Sequence, residues 1–292
     1  MTRRAAALLA AAWTLAAFTA AAPAAAEVRY ESFRSASLGR DVRYAVQVPP
    51  SYAAGERRYP VLYVLHGLFE GPDFWEERGL PKILEDLWRS GEVPEMVVVA
   101  VDGDNSFFVD GPQGAYESLV TRDLVAHVEK TYRAVPRREG RALLGISMGG
   151  YAALRIALSK PEIYGAVAAH SAVVLEEIPT AAGGASSGHL AAFHHAFGDP
   201  IDAALWTASD PLSWAGKADP RQTPALYFDC GSEDRYGLFK GNGALHRRLQ
   251  ARGVPHTFAL RPGNHGYEYV RSVLAYSLKF IGAALGATPK SP

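Results

Sequence analysis

Short apolar runs without polar alternation recur along the chain. They are rich in valine, leucine and alanine, and they cover residues 61–65, 96–101, 141–144, 165–169 and 225–229. A strand with one face in water alternates apolar and polar residues, whereas a continuous apolar run is typical of a strand buried on both faces. The pattern therefore predicts a mostly parallel sheet that is covered by helices on both sides.

Helical periodicity appears between these runs. Within residues 117–132 apolar side chains recur every four positions, and residues 149–158 and 243–251 are also compatible with helices. Alternating strands and helices predict a doubly wound α/β sheet, in which functional loops follow the carboxyl ends of the strands. Residues 27–35 and 42–48 predict an antiparallel strand pair at the edge of this sheet.

A long segment, residues 176–222, interrupts the alternation. It contains a Gly/Ala/Ser stretch at 181–188, followed by aromatic residues among turn-forming Gly, Asp and Pro. An insertion of this length between two strands of a sheet is typical of a cap or a binding loop. We therefore expect residues 176–222 to cover the functional face of the sheet.

The first 26 residues predict a secretory signal. Met-Thr-Arg-Arg carries positive charge, an almost wholly apolar stretch follows, and residues 24–26 are three alanines that suit cleavage. A retained membrane anchor is the alternative interpretation, because the apolar run approaches the length that spans a membrane. The alanine content of the run favours removal. The expectation is a secreted or periplasmic protein with one α/β domain over residues 27–292.

Charge and cysteine content narrow the possible partners. The 30 basic and 30 acidic side chains balance, so neither a nucleic-acid partner nor a strongly charged substrate is indicated. A single cysteine, Cys230, cannot form an intramolecular disulfide, and its apolar run predicts a buried side chain. His194 and His195 are adjacent without further ligands at metal-site spacing, so no metal or cofactor is expected. The oligomeric state is left open.

The pattern Gly145-Ile-Ser147-Met-Gly149 stands between a predicted strand and a predicted helix, and it indicates a nucleophile elbow. The turn is strained and has no room for β-carbons beside the serine, so glycine is needed on both sides. We therefore predict that Ser147 is a nucleophile, with a structural turn as the alternative. Ser186 lies in a similar pattern, but no strand precedes it.

A serine nucleophile needs a histidine base that is oriented by a carboxylate. In the α/β-hydrolase order the acid follows the serine and the histidine comes last. His265 follows the strand-like residues 255–260, in a Pro-Gly-Asn-His-Gly loop, and is the preferred base; His170 is the rival and His256 falls within the strand pattern. Asp234 is the preferred acid because it lies beyond a strand end.

Glu233, its neighbour, is the next candidate for the acid, whereas Asp229 is expected to lie within the strand. The alternative role for Asp234 is to cap the N-terminus of the following helix. The reaction also needs donors for the developing oxyanion. We assign these to the backbone N–H groups of Met148, after the nucleophile, and Leu68, in the sharp turn after residues 61–65. His66 is interpreted as a residue that shapes this loop.

Several aromatic residues fall in loops at the predicted functional face, where they could hold an acyl or aromatic group or simply pack the loops together. Five are predicted to contact substrate: Phe69, Trp75, Phe107, Trp206 and Tyr267.

In combination, these motifs resemble the esterase D family of α/β-hydrolases over residues 44–281. The resemblance rests on Leu65-His66-Gly67, Trp75, residues 145–150, residues 229–234 and residues 262–265. It implies the same nucleophile, acid, base and oxyanion amides that the residues themselves indicate. One departure is Gly266 before Tyr267, where many members carry a bulky aromatic residue close behind the histidine.

The resemblance implies a serine carboxylesterase that hydrolyses small acyl or aryl esters through an acyl-enzyme intermediate, and the signal pattern of residues 1–26 predicts that this enzyme is exported. Acyl transfer to a sugar or lipid alcohol, as in the mycolyltransferases, is the alternative with the same triad. A non-catalytic binding module of this fold would be expected to lack a triad residue. S-formylglutathione hydrolysis is less expected for an exported chain, because the thiol cofactor is intracellular.

Overall fold

The computed structural model describes residues 27–180 and 187–286. Its strands, in chain order, are β1 (Val28–Ser35), β2 (Arg40–Gln47), β3 (Val61–Leu65), β4 (Val97–Val101), β5 (Asp110–Gly111), β6 (Gly114–Ala115), β7 (Arg141–Ile146), β8 (Ala166–His170), β9 (Ala225–Gly231) and β10 (Thr257–Arg261). Each predicted buried run forms a strand, and its bounds shift by at most two residues at either end. The pair β5–β6 is a small separate hairpin.

Eight strands form the main sheet in the order β1-β2-β4-β3-β7-β8-β9-β10. The pairs β1–β2 and β2–β4 are antiparallel, and the other neighbours are parallel, so both the edge pair and the mostly parallel sheet are confirmed. Leu65 lies opposite Gly145, and His170 lies opposite Ile146 and Asp229. Because these positions are at the carboxyl ends of their strands, the loops that follow emerge side by side.

Helices cover both faces of the sheet. They are α1 (Phe74–Glu77), α2 (Leu80–Arg89), α3 (Tyr116–Ser118), α4 (Leu124–Thr131), α5 (Met148–Ser159), α6 (Ser187–Phe197), α7 (Ala203–Ser209), α8 (Pro211–Ala215), α9 (Leu238–Ala251) and α10 (Tyr267–Gly286). The central strand β3 shows the two-sided burial: Tyr63 and Leu65 pack in one core, and Leu62 and Val64 in the other. This confirms that its apolar run is buried on both faces.

The helix predicted over residues 117–132 is interrupted. A π-helical turn, Leu119–Asp123, separates α3 from α4. At the end of that turn, Asp123 Oδ2 accepts hydrogen bonds from the Ser35 hydroxyl and the Ser37 amide, both at 2.7 Å. The interruption of the helix thus coincides with a contact between Asp123 and the turn after β1. Four-residue spacing alone did not predict this interruption.

Two expectations concern residues that the structure does not describe. The predicted signal, residues 1–26, and Ser186, the central serine of the second Gly-x-Ser-x-Gly pattern, lie outside the described residues. Within residues 27–180 and 187–286, no helix combines the length and the apolar character needed to cross a membrane.

Candidate active site

Ser147 lies on the turn between β7 and α5, with φ 55° and ψ −111°. A β-carbon at Gly145 would stand 2.0 Å from the Gly149 carbonyl oxygen, and one at Gly149 would stand 2.2 Å from the Leu65 carbonyl oxygen. The positive φ of Ser147 is a strained conformation for a residue with a side chain, and it persists only where the surroundings fix the backbone. Here the Ser147 amide donates to the His170 carbonyl at 2.9 Å. Both glycines are therefore required by close approach, as the elbow pattern predicts.

In the structure, hydrogen bonds connect Asp234 to His265 and His265 to Ser147. His265 Nε2 is 3.1 Å from Ser147 Oγ, and His265 Nδ1 is 2.8 Å from Asp234 Oδ2. The buried carboxylate can only accept, so Nδ1 carries the proton and Nε2 is left to accept from the serine hydroxyl. The other carboxylate oxygen, Oδ1, accepts from the Tyr236 amide at 2.9 Å. This geometry suits a nucleophile with a general base.

Asn264, which the sequence analysis did not single out, connects the two loops that carry the acid and the base. Its Oδ1 accepts from the Arg235 amide at 2.8 Å and from the His265 amide at 2.7 Å. The Glu233 amide also donates to the Gly263 carbonyl at 3.0 Å. The loop after β9 and the loop after β10 are therefore fixed to each other. The position of Asn264 directly before the candidate base is the only signal in the sequence.

The loop after β3 is held against the elbow. His66 Nε2 accepts from the Gly103 amide at 2.9 Å, while Nδ1 contacts the Gly67 carbonyl at 2.7 Å. Burial lowers the pKa of His66, which favours the neutral ring that these contacts require. The Gly149 amide donates to the His66 carbonyl at 3.0 Å. His66 thus joins three backbone segments, in agreement with its interpretation as a loop-shaping residue.

The loop of the first predicted oxyanion donor, Leu68, passes close to the serine, since a β-carbon at Gly67 would stand 3.6 Å from Ser147 Cβ. On either side of Leu68, the Gly67 amide donates to Glu70 Oε2 at 3.2 Å and the Phe69 amide donates to Asn105 Oδ1 at 2.7 Å. Phe69 itself has a φ of 65°. The backbone around the Leu68 amide is therefore fixed on both sides. The second predicted donor, the Met148 amide, begins α5 directly after Ser147.

The rival residues occupy other environments. His170 is fully buried, with Nδ1 at 3.0 and 3.1 Å from the two carboxylate oxygens of Asp229 and Nε2 at 2.9 Å from Ser277 Oγ. Asp229 lies within β9, as predicted. His256 contacts His246 at 2.8 Å, and Glu233 is exposed. The structure thus places none of the rivals in the hydrogen-bonded line with Ser147.

A cavity of about 940 Å³ opens in front of Ser147. Phe69 and Tyr267, both predicted to contact substrate, line it together with Tyr236. Residues 176–180, at the start of the insertion, also line the cavity. Phe69 is 65% exposed and Tyr236 is 44% exposed, so both present apolar surface at the entrance.

The other three predicted substrate contacts are corrected. Trp75 is buried in the core formed with α2 and α10, and its Nε1 donates to Gln47 Oε1 at 2.9 Å. The residue closely follows the loop of the predicted oxyanion donor Leu68, but α1 turns the indole away from the cavity into the sheet core. Its buried N–H finds a partner on β2, as a buried tryptophan requires.

Phe107 and Trp206 belong to an aromatic cluster that attaches the insertion to the sheet. The Phe107 ring stacks on Phe193 with centroids 4.7 Å apart, and the Trp206 ring lies 5.0 Å from that of Phe197. Phe107 is fully buried and Trp206 is 7% exposed. Of this cluster, Phe193 reaches the cavity wall. The sequence shows aromatic residues in the insertion but does not show which of their faces are covered.

Replacing Trp206 with alanine is therefore expected to destabilise the protein rather than to change its preference among substrates. Loss of a buried tryptophan costs about 3–5 kcal/mol, which lowers the melting temperature of a chain of this size by roughly 10 °C. Thermal unfolding measures the effect, and Tyr236→Ala, at the exposed entrance, is the matched control with a small shift. An unchanged melting temperature in Trp206→Ala would contradict the core assignment.

Cys230 lies in β9, and the histidine pair at 194–195 lies on α6. Cys230 is fully buried with its Sγ 3.8 Å from Asp234 Oδ2, and burial together with the nearby carboxylate raises the pKa of its thiol. The burial of Cys230 agrees with the sequence prediction. Among the residues described by the structure, no group of three or more His, Cys, Asp or Glu side chains could hold a metal ion.

A parallel sheet whose strand-to-helix turn presents a serine, with the acid and histidine on later loops, defines an α/β-hydrolase. The chain belongs to the Esterase family, whose model matches residues 35–281. This covers the sheet from the end of β1 to α10, and it confirms the family resemblance seen in the sequence motifs.

Known relatives agree with this assignment. Esterase Rv1288 of Mycobacterium tuberculosis is 26% identical over 263 residues, which are 81% of this chain and 55% of the relative. S-formylglutathione hydrolase of Paracoccus denitrificans is 27% identical over 273 residues, covering 87% and 92% of the two chains. A solved ferulic acid esterase has a TM-score of 0.76 at 28% identity, covering 89% of this chain and 99% of its own. This chain spans about half the length of the first curated relatives that it matches.

Proposed function

We propose that this protein is a serine carboxylesterase that hydrolyses small acyl or aryl esters through an acyl-enzyme intermediate. The observation that carries the proposal is the line from Asp234 through His265 to Ser147, which ends in an open cavity. Membership of the Esterase family supports the same chemistry. The signal pattern of residues 1–26 supports export; N-terminal sequencing of protein recovered outside the cytoplasm should then find a new terminus near Glu27.

In the first half of the proposed reaction, Ser147 Oγ attacks the ester carbonyl carbon and its proton moves to His265 Nε2. The carbonyl π electrons move to oxygen, where the Leu68 and Met148 amides stabilise the negative charge. Asp234 stabilises the imidazolium through Nδ1. The intermediate then expels the alcohol, which takes the proton from Nε2. The acyl group remains on Ser147.

In the second half, water attacks the acyl carbon and gives a proton to His265 Nε2. The new tetrahedral intermediate breaks its bond to Ser147 Oγ, which recovers the proton, and the carboxylic acid leaves. The same residues thus act twice in opposite directions. The cavity lies within the usual range of 300–1,000 Å³ for small-molecule sites, which favours a small ester over a macromolecular surface.

A substrate panel tests the proposal. We expect the purified protein to release nitrophenol from p-nitrophenyl esters and to show a clear optimum of acyl chain length, with feruloyl, acetyl-sugar and siderophore esters run in parallel. An added alcohol acceptor separates the two enzymatic alternatives, because a hydrolase yields mainly free acid and an acyltransferase yields mainly the new ester. No turnover of any ester, together with no labelling by a fluorophosphonate, would instead indicate a binding module.

A further inference from the structure

A single carboxylate, that of Glu70, connects the loop of the predicted oxyanion donor to the loop of the candidate base. Glu70 Oε2 accepts from the Gly67 amide at 3.2 Å and from the Tyr267 hydroxyl at 2.5 Å. Gly67 directly precedes Leu68, and Tyr267 follows His265 by two residues. These loops come from strands β3 and β10, which are not neighbours in the sheet.

The other oxygen of the carboxylate is also occupied. Glu70 Oε1 accepts from Arg78 Nε at 3.3 Å and from Nη2 at 3.0 Å. The Arg78 guanidinium also lies over the Tyr267 ring, 4.8 Å from its centroid. The Glu70 side chain is only 13% exposed. Because two oxygens satisfy four donors in a mostly enclosed position, the carboxylate has a fixed orientation.

Tyr267 is suited to remain a donor in this arrangement. Burial and the neighbouring Glu70 charge raise the pKa of the phenol, so the hydroxyl keeps its proton over the working range of pH. The ring lines the cavity, and Gly266 before it has a φ of 149°. A side chain would be strained there, so the glycine that departs from the family pattern allows the turn that brings Tyr267 to Glu70.

We propose that Glu70 is a positioning residue for the ester hydrolysis proposed above. Its carboxylate fixes the distance between the Leu68 amide and the His265 imidazole, which face Ser147 from opposite loops. The inference rests on the proposed function. Oxyanion charge develops only in the transition state, so an error in the position of its donor lowers kcat more than it changes KM.

The decisive experiment is steady-state kinetics of Glu70 and Tyr267 variants on a p-nitrophenyl acetate substrate. Glu70→Ala is expected to lower kcat about 100-fold, the lower range for loss of one oxyanion donor, while KM changes less than about threefold. Glu70→Gln keeps an oxygen that accepts from Gly67 and Tyr267, so its kcat should be about tenfold higher than that of Glu70→Ala. Asp86→Asn, an exposed carboxylate paired with Lys82 and Arg89, is the matched control and should behave as wild type.

A double-mutant cycle separates positioning from a general loss of stability. Tyr267→Phe alone should lower kcat about tenfold, but it should have little further effect in the Glu70→Ala background, because the two residues share one hydrogen bond. Wild-type kcat in Glu70→Ala, purely additive effects, or a loss confined to KM would overturn the inference. If the wild type itself hydrolyses no ester, the proposed function fails. The positioning role is tested separately by fluorophosphonate labelling: equal labelling rates of the folded wild type and the folded Glu70→Ala variant would overturn it.

Discussion

Ser147→Ala is expected to lower kcat for ester hydrolysis by about six orders of magnitude, the size of effect seen when a serine hydrolase loses its nucleophile. Removing Oγ deletes the atom that would form the proposed acyl-enzyme. The elbow itself should persist, because its contacts use the Ser147 backbone, which donates to His170 and accepts from Val173. Measured kcat on the best ester of the panel, together with an unchanged melting temperature, checks both parts.

A second serine in the same cavity provides the matched control. Ser171 also lines the cavity and also has a positive φ, 45°, but it follows β8 rather than forming the elbow. Ser171→Ala should therefore keep most of the activity. A fluorophosphonate probe should label Ser147 in the wild type. Label on Ser171 or Ser186, or activity that survives in Ser147→Ala, would show that the nucleophile is elsewhere.

The strands could be predicted well because two-sided burial leaves a continuous apolar run in the sequence. The run at 61–65 coincides with β3 because every residue of that strand is buried. The order of serine, acid and histidine along the chain helps to select the candidate triad, because a parallel sheet brings the carboxyl ends of its strands to one edge. That is why Ser147, Asp234 and His265 could be selected from residues far apart in the chain.

The role of each aromatic side chain could not be predicted, because loop residues have no periodicity that reveals which side is covered. Phe69 and Phe107 both follow strands of the sheet, yet one is exposed at the cavity and the other fully buried. The helix α10 could have been recognised, since Val270, Leu274 and Leu278 recur at helical spacing on its buried face. The spacing of these three residues is therefore sufficient to predict a helix after the candidate base.

The contacts of Glu70 and Asn264 lie beyond sequence reasoning for another reason. The Glu70–Tyr267 hydrogen bond joins residues 197 positions apart. Such a bond depends on the final arrangement of loops from two strands, and neither residue belongs to a motif that fixes its partner. Sequence patterns located the candidate reacting groups, whereas the residues that hold these groups in place are visible only through tertiary contacts.

Loss of the candidate base or acid should have the other large effect. His265→Ala removes the acceptor of the Ser147 proton and is expected to lower kcat about as much as loss of the nucleophile, by roughly six orders of magnitude. Asp234→Asn should cost about four orders. An amide NH₂ at this position can donate to Nδ1, which leaves the proton on Nε2, and a protonated Nε2 cannot accept from the Ser147 hydroxyl.

Glu233→Gln is the control for the acid, because Glu233 is the adjacent carboxylate and is exposed. It should retain near-normal kcat. Collapse in Glu233→Gln with near-normal turnover in Asp234→Asn would move the acid by one residue, and full activity in His265→Ala with collapse in His170→Ala would move the base. Because His170 and Asp229 are both fully enclosed, His170→Ala should lower the melting temperature while the folded variant keeps its kcat. The His265 side chain is 14% exposed but its partner Asp234 is fully enclosed, so His265→Ala should lower kcat as well as cost some stability. Kinetics and unfolding together therefore distinguish a base from a structural histidine.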